Sequence, residues 1–225
     1  MKNKLQSESL VKPVLQDIRR KILTWEFPPH FQLIEERLCQ TYNVSRSPIR
    51  QALTHLEAEG LVEKRPRIGF FVKQVLLHDI EELYELRFAL EWQVVKGLVN
   101  KELPEKTHQK LFNCWSKTDI EQNLSAEQLA LLDEEFHTEL AKAHGNKMIL
   151  NQIRLINERI FVFREIDFRQ EGRLADTQKE HLEILRRIIA KDLEYLEKIL
   201  QKNIFSGLGN VKTAVIQLIA KSYIG

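Results

Sequence analysis

Two arginines four residues apart, Arg46 and Arg50, stand in the stretch NVSRSPIRQALTHLEAEG. On a helix that spacing puts both on one face. Such a pair suits bidentate hydrogen bonding to guanine O6 and N7 in a DNA major groove. Ser45, Ser47, Gln51 and Thr54 lie beside them, within reach of base edges or phosphates. The next segment, LVEKRPRIGFFVKQV, sets Lys64, Arg65 and Arg67 around a turn, with Gly69 allowing a close turn. Those cations would meet the phosphate backbone beside the helix. Far along the chain, Asp133 and His137 are also four apart. A carboxylate oxygen and an imidazole nitrogen one turn apart are a common metal-ligating pair, with His181 a third candidate from another segment. The plainer reading of the same spacing is a surface helix pair. Arg87 stands in the apolar run LYELRFALE, where a charge needs a partner. That partner is either Glu91 or another carboxylate of the domain, or the carboxylate of a bound ligand. Arg159 and Arg164 are weaker candidates of the same kind.

These residues need elements to position them. Val14, Leu15, Ile18, Ile22 and Leu23 recur at helical spacing and predict a first helix over about 14–25, stopped by Phe27-Pro28-Pro29. A second helix is predicted over about 35–42, and Asn43-Val44 makes a turn. Ser45 suits the N-cap of a third helix, Pro48 falls in its first turn, and Gly60 suits its C′ stop. Two strands, 61–64 and 70–73, close the unit as a hairpin wing. Residues 10–75 thus read as a winged helix-turn-helix DNA-binding domain behind a flexible 1–9 terminus.

Residues 76–225 read as a second, helical domain for ligand binding and dimerisation. Helices are predicted over about 79–100, 105–117, 125–144, 147–168, 170–190 and 192–206. Gly207 and Gly209 should interrupt the last, leaving 211–223 as a further turn or seventh helix. The apolar stripe of the 79–100 helix is expected at Ile80, Leu83, Leu86, Leu90 and Val94. The fold class is therefore mainly α: a winged helix-turn-helix followed by an antiparallel bundle of six or seven helices.

Charge supports the division. Residues 1–75 hold 13 basic and 8 acidic side chains, net +5, while 76–225 hold 21 and 24, net −3. Only the front half should meet a polyanion. No apolar run approaches the roughly 20 residues of a membrane span, and the start lacks a signal-type core. A cytoplasmic protein without membrane partners is expected. Cys39 and Cys114 fit no metal or redox spacing and are expected as reduced thiols.

The segment LIEERLCQTYNVSRSPIRQALTHLEAEGLVEKRPRIGFFVKQV resembles the winged helix-turn-helix of GntR-type transcription regulators. DIEELYELRFALE, LDEEFHTELAKAHGN and EHLEIL resemble the FCD ligand-binding domain that many of them carry, of the FadR/VanR type. The resemblance implies that Arg46 and Arg50 read DNA with the wing assisting. It also implies a metal motif of Asp-x3-His, a later His and a final His 22 residues beyond. Here the first three are Asp133, His137 and His181, but the fourth position is Asn203, a neutral and poorer ligand. A divalent metal of the zinc, nickel or manganese type is the implied cofactor, and a small organic acid the implied effector.

Three functions compete on this reading. A ligand-responsive regulator, of repressor type, would bind a near-palindromic double-stranded DNA operator as a homodimer. An architectural DNA-binding protein would leave the helical domain idle. A metal-dependent enzyme on Asp133, His137 and His181 would need a base, such as Glu134 or Glu135 turned inward. No phosphate loop, nucleophile elbow or metalloprotease motif supports an enzyme.

Overall fold

The computed structural model describes residues 2–24, 26–73, 77–116 and 124–222, with side chains described from Leu10 to Thr213 and at Ile216. Among them are nine helices and three short strands, and no helix is long and apolar enough to cross a membrane. The chain divides into two compact units, Met1–Leu76 with Val215–Gly225, and Leu77–Ala214.

In the first unit, α1 (Lys2–Leu23), α2 (Glu35–Tyr42) and α3 (Arg46–Ala58) surround one apolar core. Strands β1 (Gln32–Leu33), β2 (Val62–Arg65) and β3 (Gly69–Val72) form an antiparallel sheet in the order β1-β3-β2. The core is the predicted set: Ile18, Ile22, Ile49, Ala52, Leu53 and Leu56 are fully buried. Asn43 takes the left-handed conformation, and its N–H donates to the carbonyls that end α2. That kink turns the chain into α3, and Gly60 at φ 77 leads it out again. Ser45 occupies the N-cap position of α3 in extended conformation, but no side-chain capping bond forms. Arg19, buried in α1, donates to both oxygens of Glu59 at 3.0 and 2.6 Å, clamping the end of α3.

Three expectations change here. The first helix begins at Lys2 rather than near residue 14, with Pro13 inside it, so 2–9 are helical where the sequence suggests a tail; Trp25 lies outside the described residues. Of the wing strands, β2 lies one residue later and β3 one residue earlier than predicted. Strand β1 was not foreseen, because two residues carry no alternation and only pairing of Gln32 with Phe71 and Leu33 with Phe70 defines it.

The second unit holds α4 (Leu77–Lys101), α5 (Glu105–Trp115), α6 (Ala126–His144), α7 (Lys147–Phe168), α8 (Arg173–Ala190) and the first part of α9 (Leu193–Ser222). Ser125 and Gln128 form the predicted capping box of α6, and Asn146 caps α7. The predicted break at Gly207 and Gly209 is absent: α9 is continuous to Ser222, and Tyr223 lies outside the described residues. Gly207 serves packing instead, since a Cβ there would sit 2.8 Å from Asp167 Oδ2. The α4 stripe also differs. Leu86 is exposed and Leu90 half-buried, whereas Tyr84, Arg87 and Glu91 are buried. The inward face of α4 is partly polar, which an apolar template cannot find.

Candidate functional site

The first candidate site is the outer face of α3 and the wing. The burial of Ile49, Ala52, Leu53 and Leu56 leaves Ser45, Arg46, Ser47, Arg50, Gln51 and Thr54 exposed. Arg46 and Arg50 are one turn apart at the start of α3, where backbone N–H groups also favour phosphate. Arg50 is not idle: its Nε donates to Glu35 Oε2 at 2.7 Å, leaving the outer guanidinium nitrogens for a base edge. On the wing, Arg65 is held by Glu63 and stacks 4.2 Å over Phe71. Arg67, exposed, and Gly69, half-buried, both take positive φ around the hairpin turn. The sequence pattern does not mark Glu35 or Glu63 as partners of these arginines, because each pair is set by packing between elements or within the sheet.

The second candidate site lies inside the helical unit. Three arginines, Arg87, Arg164 and Arg173, and four carboxylates, Glu91, Asp133, Asp167 and Glu180, are buried there. Asp133 divides the cluster. Its Oδ1 lies 3.2 Å from His181 Nε2 and 3.7 Å from His137 Nε2. Its Oδ2 lies 2.7 Å from Arg164 Nε and 3.9 Å from Arg87 Nη2. Burial pushes the Asp133 carboxyl up, but His137 and Arg164 outweigh it and hold it well below its ordinary 3.8. Arg87 donates from Nε to Glu91 Oε1 at 2.7 Å, and Glu91 Oε2 lies 2.5 Å from His137 Nδ1. Glu91 is likewise pushed up by burial yet drawn down to about 2 by Arg87 and His137. The ion-pair reading of Arg87 is therefore realised within the chain. Sequence reasoning named Glu91 only as that partner and missed its reach to His137; its position four residues after Arg87 was the available signal. Glu135 does not turn inward, being exposed and paired with Lys110, and the half-buried Glu134 reaches Arg164 Nη1 at 3.8 Å.

The donor set suits a metal. Ligand atoms of Asp133, His137 and His181 all lie within 4.8 Å of one another. Two atoms each about 2.1 Å from a tetrahedral ion stand about 3.4 Å apart, and the 3.2 and 3.7 Å separations bracket that value. None of the four buried ring nitrogens makes an aligned hydrogen bond, although His137 Nδ1 lies against Glu91 and both Nε2 atoms face Asp133. Burial draws His181 down to about 4, so its imidazole is neutral near neutral pH with a lone pair to offer. Phe136 stacks on that ring at 3.7 Å and Trp115 meets it edge-on at 4.2 Å, fixing its plane.

Asn203 behaves differently. Its Nδ2 donates to Glu180 Oε2 at 2.9 Å, and its backbone carbonyl accepts from Arg173 Nη2 at 3.1 Å. Arg173 also donates to Asp167 at 2.6 Å and to Glu180 at 3.1 Å. Asn203 thus belongs to a polar lock joining α7, α8 and α9. Asp133, His137 and His181 form a three-residue donor set, while the amide nitrogen of Asn203 is committed to Glu180. A small cavity of about 10 Å³ opens between the two clusters, bordered by Tyr84, Arg87, Asp133, Arg164, Arg173 and Asn203. His144, the last residue of α6, is buried against Gly97, and His108 of α5 is half-buried against Phe112.

Comparison with known proteins bears on both sites. Residues 10–72 match the gntR family of bacterial regulatory proteins, and residues 82–204 match the FCD domain. The Nta operon transcriptional regulator of Aminobacter aminovorans is 32% identical over 71% of this chain and 75% of its own length. The uncharacterised HTH-type transcriptional regulator YdhC of Bacillus subtilis is 27% identical over 79% and 80%. In fold, a GntR transcriptional regulator from Rhodococcus sp. RHA1 superposes with a TM-score of 0.63 at 21% identity, covering 92% of this chain and 99% of that one. These relatives are regulators and not enzymes. The chain belongs to the gntR family of bacterial regulatory proteins with an FCD domain, and is a DNA-binding transcription regulator.

Proposed function

We propose that the protein is a ligand-responsive repressor that binds a near-palindromic operator as a homodimer and releases it when a small organic acid enters the helical unit. Two copies paired through their helical units would present two α3 helices to successive major-groove faces. Arg46 and Arg50 would read bases, with Ser45, Ser47 and Gln51 beside them and Arg65, Arg67 and Gly69 bringing the wing to the backbone.

The observation that carries the sensing role is the buried cluster around the cavity. A DNA-binding scaffold gains nothing from three buried arginines; such charges are expensive and tend to be held for a purpose beyond stability. Orphaned donors on Arg87 and Arg164 suit the carboxylate of an organic acid. Asp133, His137 and His181 would hold a divalent ion of the zinc, nickel or manganese type, with Asn203 outside the ligand set. When bound, such an ion supplies Lewis-acid charge that fixes a carboxylate oxygen. The cavity of about 10 Å³ has room for a single water, so an acid enters only if helices part. Ligand entry and helix displacement are then one event, and differential affinity for the opened form supplies the coupling, of order 1–3 kcal/mol in such systems.

The test is to map bound DNA across a genome and label one bound duplex. That complex is then titrated with a panel of mono-, di- and tricarboxylates. At least one acid should weaken the complex about fivefold or more. If none does, with or without added divalent metal, the protein does not sense an acid.

A further inference from the structure

Arg46 and Arg50 share one face of α3, yet they are not equivalent. Arg46 is exposed, and among the described residues it makes no ion pair. Arg50 donates from Nε to Glu35 Oε2 at 2.7 Å. Glu35 is the first residue of α2, where the helix dipole favours a carboxylate, and its side chain is 25% exposed. An acidic group bonded to a reading arginine works against every contact with a polyanion. Residues 1–75 carry net +5, as a DNA-binding surface needs, so an acid bonded to its reading helix calls for a reason.

The reason lies in what the pair offers an acceptor. With Nε taken, the end of the guanidinium, Nη1 and Nη2, remains as a fork. Guanine O6 and N7 are neutral acceptors that fit such a fork. A phosphate oxygen is an anion, drawn to a guanidinium by charge as well as by hydrogen bonds. Glu35 cancels that charge at short range, so Arg50 keeps its hydrogen bonds and loses its pull on phosphate. Even where DNA takes the place of Glu35 at Nε, the carboxylate stays anchored on α2 beside the contact and repels an incoming phosphate. Arg46, without such a partner, keeps its charge for either acceptor.

We propose that Glu35 is a specificity-determining residue of the DNA face. It biases Arg50 toward the neutral edge of a base and against the phosphate backbone, so that DNA lacking the right base is held less well. This rests on α3 as the reading helix and assigns Glu35 a role within that reading. The plain alternative is a surface ion pair with no bearing on DNA.

The experiment uses the full-length protein, a duplex recovered by genome mapping, and a shuffled duplex of the same length and composition. Fluorescence anisotropy across a salt series gives the affinities. Glu35→Gln keeps the side-chain shape and removes the charge. It should tighten binding to the shuffled duplex about two- to fivefold and change binding to the mapped duplex less, so that the ratio of the two falls. The salt dependence on the shuffled duplex should steepen by up to about one phosphate contact, a log–log slope change of about 0.9. In an Arg50→Ala background the same substitution should change neither quantity. Glu36→Gln removes an equal charge from the neighbouring exposed residue and should leave the ratio nearly unchanged. An unchanged ratio in Glu35→Gln, an equal gain in the Arg50→Ala background, or an equal effect of Glu36→Gln overturns the proposal and leaves α3 as the reading helix. If Arg50→Ala alone leaves the preference for the mapped duplex intact, Arg50 does not read a base, and the proposal falls with that reading.

Discussion

The same arginine–carboxylate separation, 2.7 Å, occurs on the surface of α3 and in the heart of the helical unit. Arg50 of α3 and Glu35 of α2 have side chains 63% and 25% exposed. Inside the bundle, Arg164 and Asp133 are 4% and 7% exposed. Distance therefore says little about what each pair does. The outer pair sits in water and salt, where such contacts contribute about 0–1 kcal/mol, so DNA can replace Glu35 at small cost. The inner pair has no solvent to fall back on, and a charge that loses its partner there remains stranded. One site is built to exchange partners freely. The other is built so that any exchange must move structure.

Removing one carboxylate from each pair gives the widest contrast. Asp133→Ala strands Arg164 and deprives both histidines of their shared acceptor, so it should destabilise the protein by about 3–5 kcal/mol. Glu35→Ala should change stability by no more than about 1 kcal/mol. Urea unfolding in the presence of a chelator measures both. Equal losses would mean that burial does not separate the two sites.

Acid should find the same difference. His181 is drawn by burial from 6.5 to about 4. Between those values the unfolded chain takes up a proton that the folded one refuses, so stability is full above about 6.5 and declines as pH falls toward about 4. Glu91, lowered to about 2 from 4.5, extends the loss further down, as does Asp133. Each of these groups binds more protons unfolded, so their contributions add in one direction, on the order of a few kcal/mol. The urea midpoint of metal-free protein should fall from about pH 6.5 downward, and a flat midpoint to about pH 5 would refute the neutral, buried state of His181.

The outer site should respond in binding and not in folding. Arg46→Ala and Arg50→Ala should each cost about 1–3 kcal/mol of discrimination at a contacted base pair. Their unfolding midpoints should stay within about 0.5 kcal/mol of the parent. Competition between operator and single-base variants reads the first quantity. Unchanged operator preference in both variants would remove α3 as the reading helix.

The two sites also differed in how far the sequence exposed them. The outer face is local. Arg46 and Arg50 follow a turn, a helix start and an apolar period that all lie within eighteen residues. Each of those signals acts at short range, so the face could be drawn before any coordinates. The inner site is assembled from α4, α6, α7 and α8, and sequence spacing reaches only within one helix. Asp133 and His137 were visible as an i, i+4 pair, and His181 as an isolated candidate. Glu91 was hidden because its partner across the bundle, His137, lies 46 positions away. Leu86 was misplaced for a related reason: a template that expects apolar residues inward cannot know that α4 turns Arg87 and Glu91 to the core. Asn203 was legible as a departure, but its commitment to Glu180 and Arg173 required the packing of α8 on α9.

Two glycines in α9 sharpen this point with the smallest effects. Both look like helix breakers in sequence, and both lie inside a continuous helix. At Gly207 an added Cβ would meet Asp167 Oδ2 at 2.8 Å, and Asp167 is fixed by Arg173 and by Asn210, which donates to it at 2.5 Å. The carboxylate cannot retreat without loosening the lock around Asn203, so Gly207→Ala should destabilise by about 1–3 kcal/mol. At Gly209 nothing lies within 4 Å of an added Cβ, and the position is exposed. There the change only lowers the entropy of the unfolded chain, and Gly209→Ala should stabilise by about 0.5–1 kcal/mol. The two substitutions are chemically identical and two residues apart, so helix propensity cancels between them. A difference in sign then isolates the contact with Asp167, and like signs would show that the buried lock does not confine α9 at that residue.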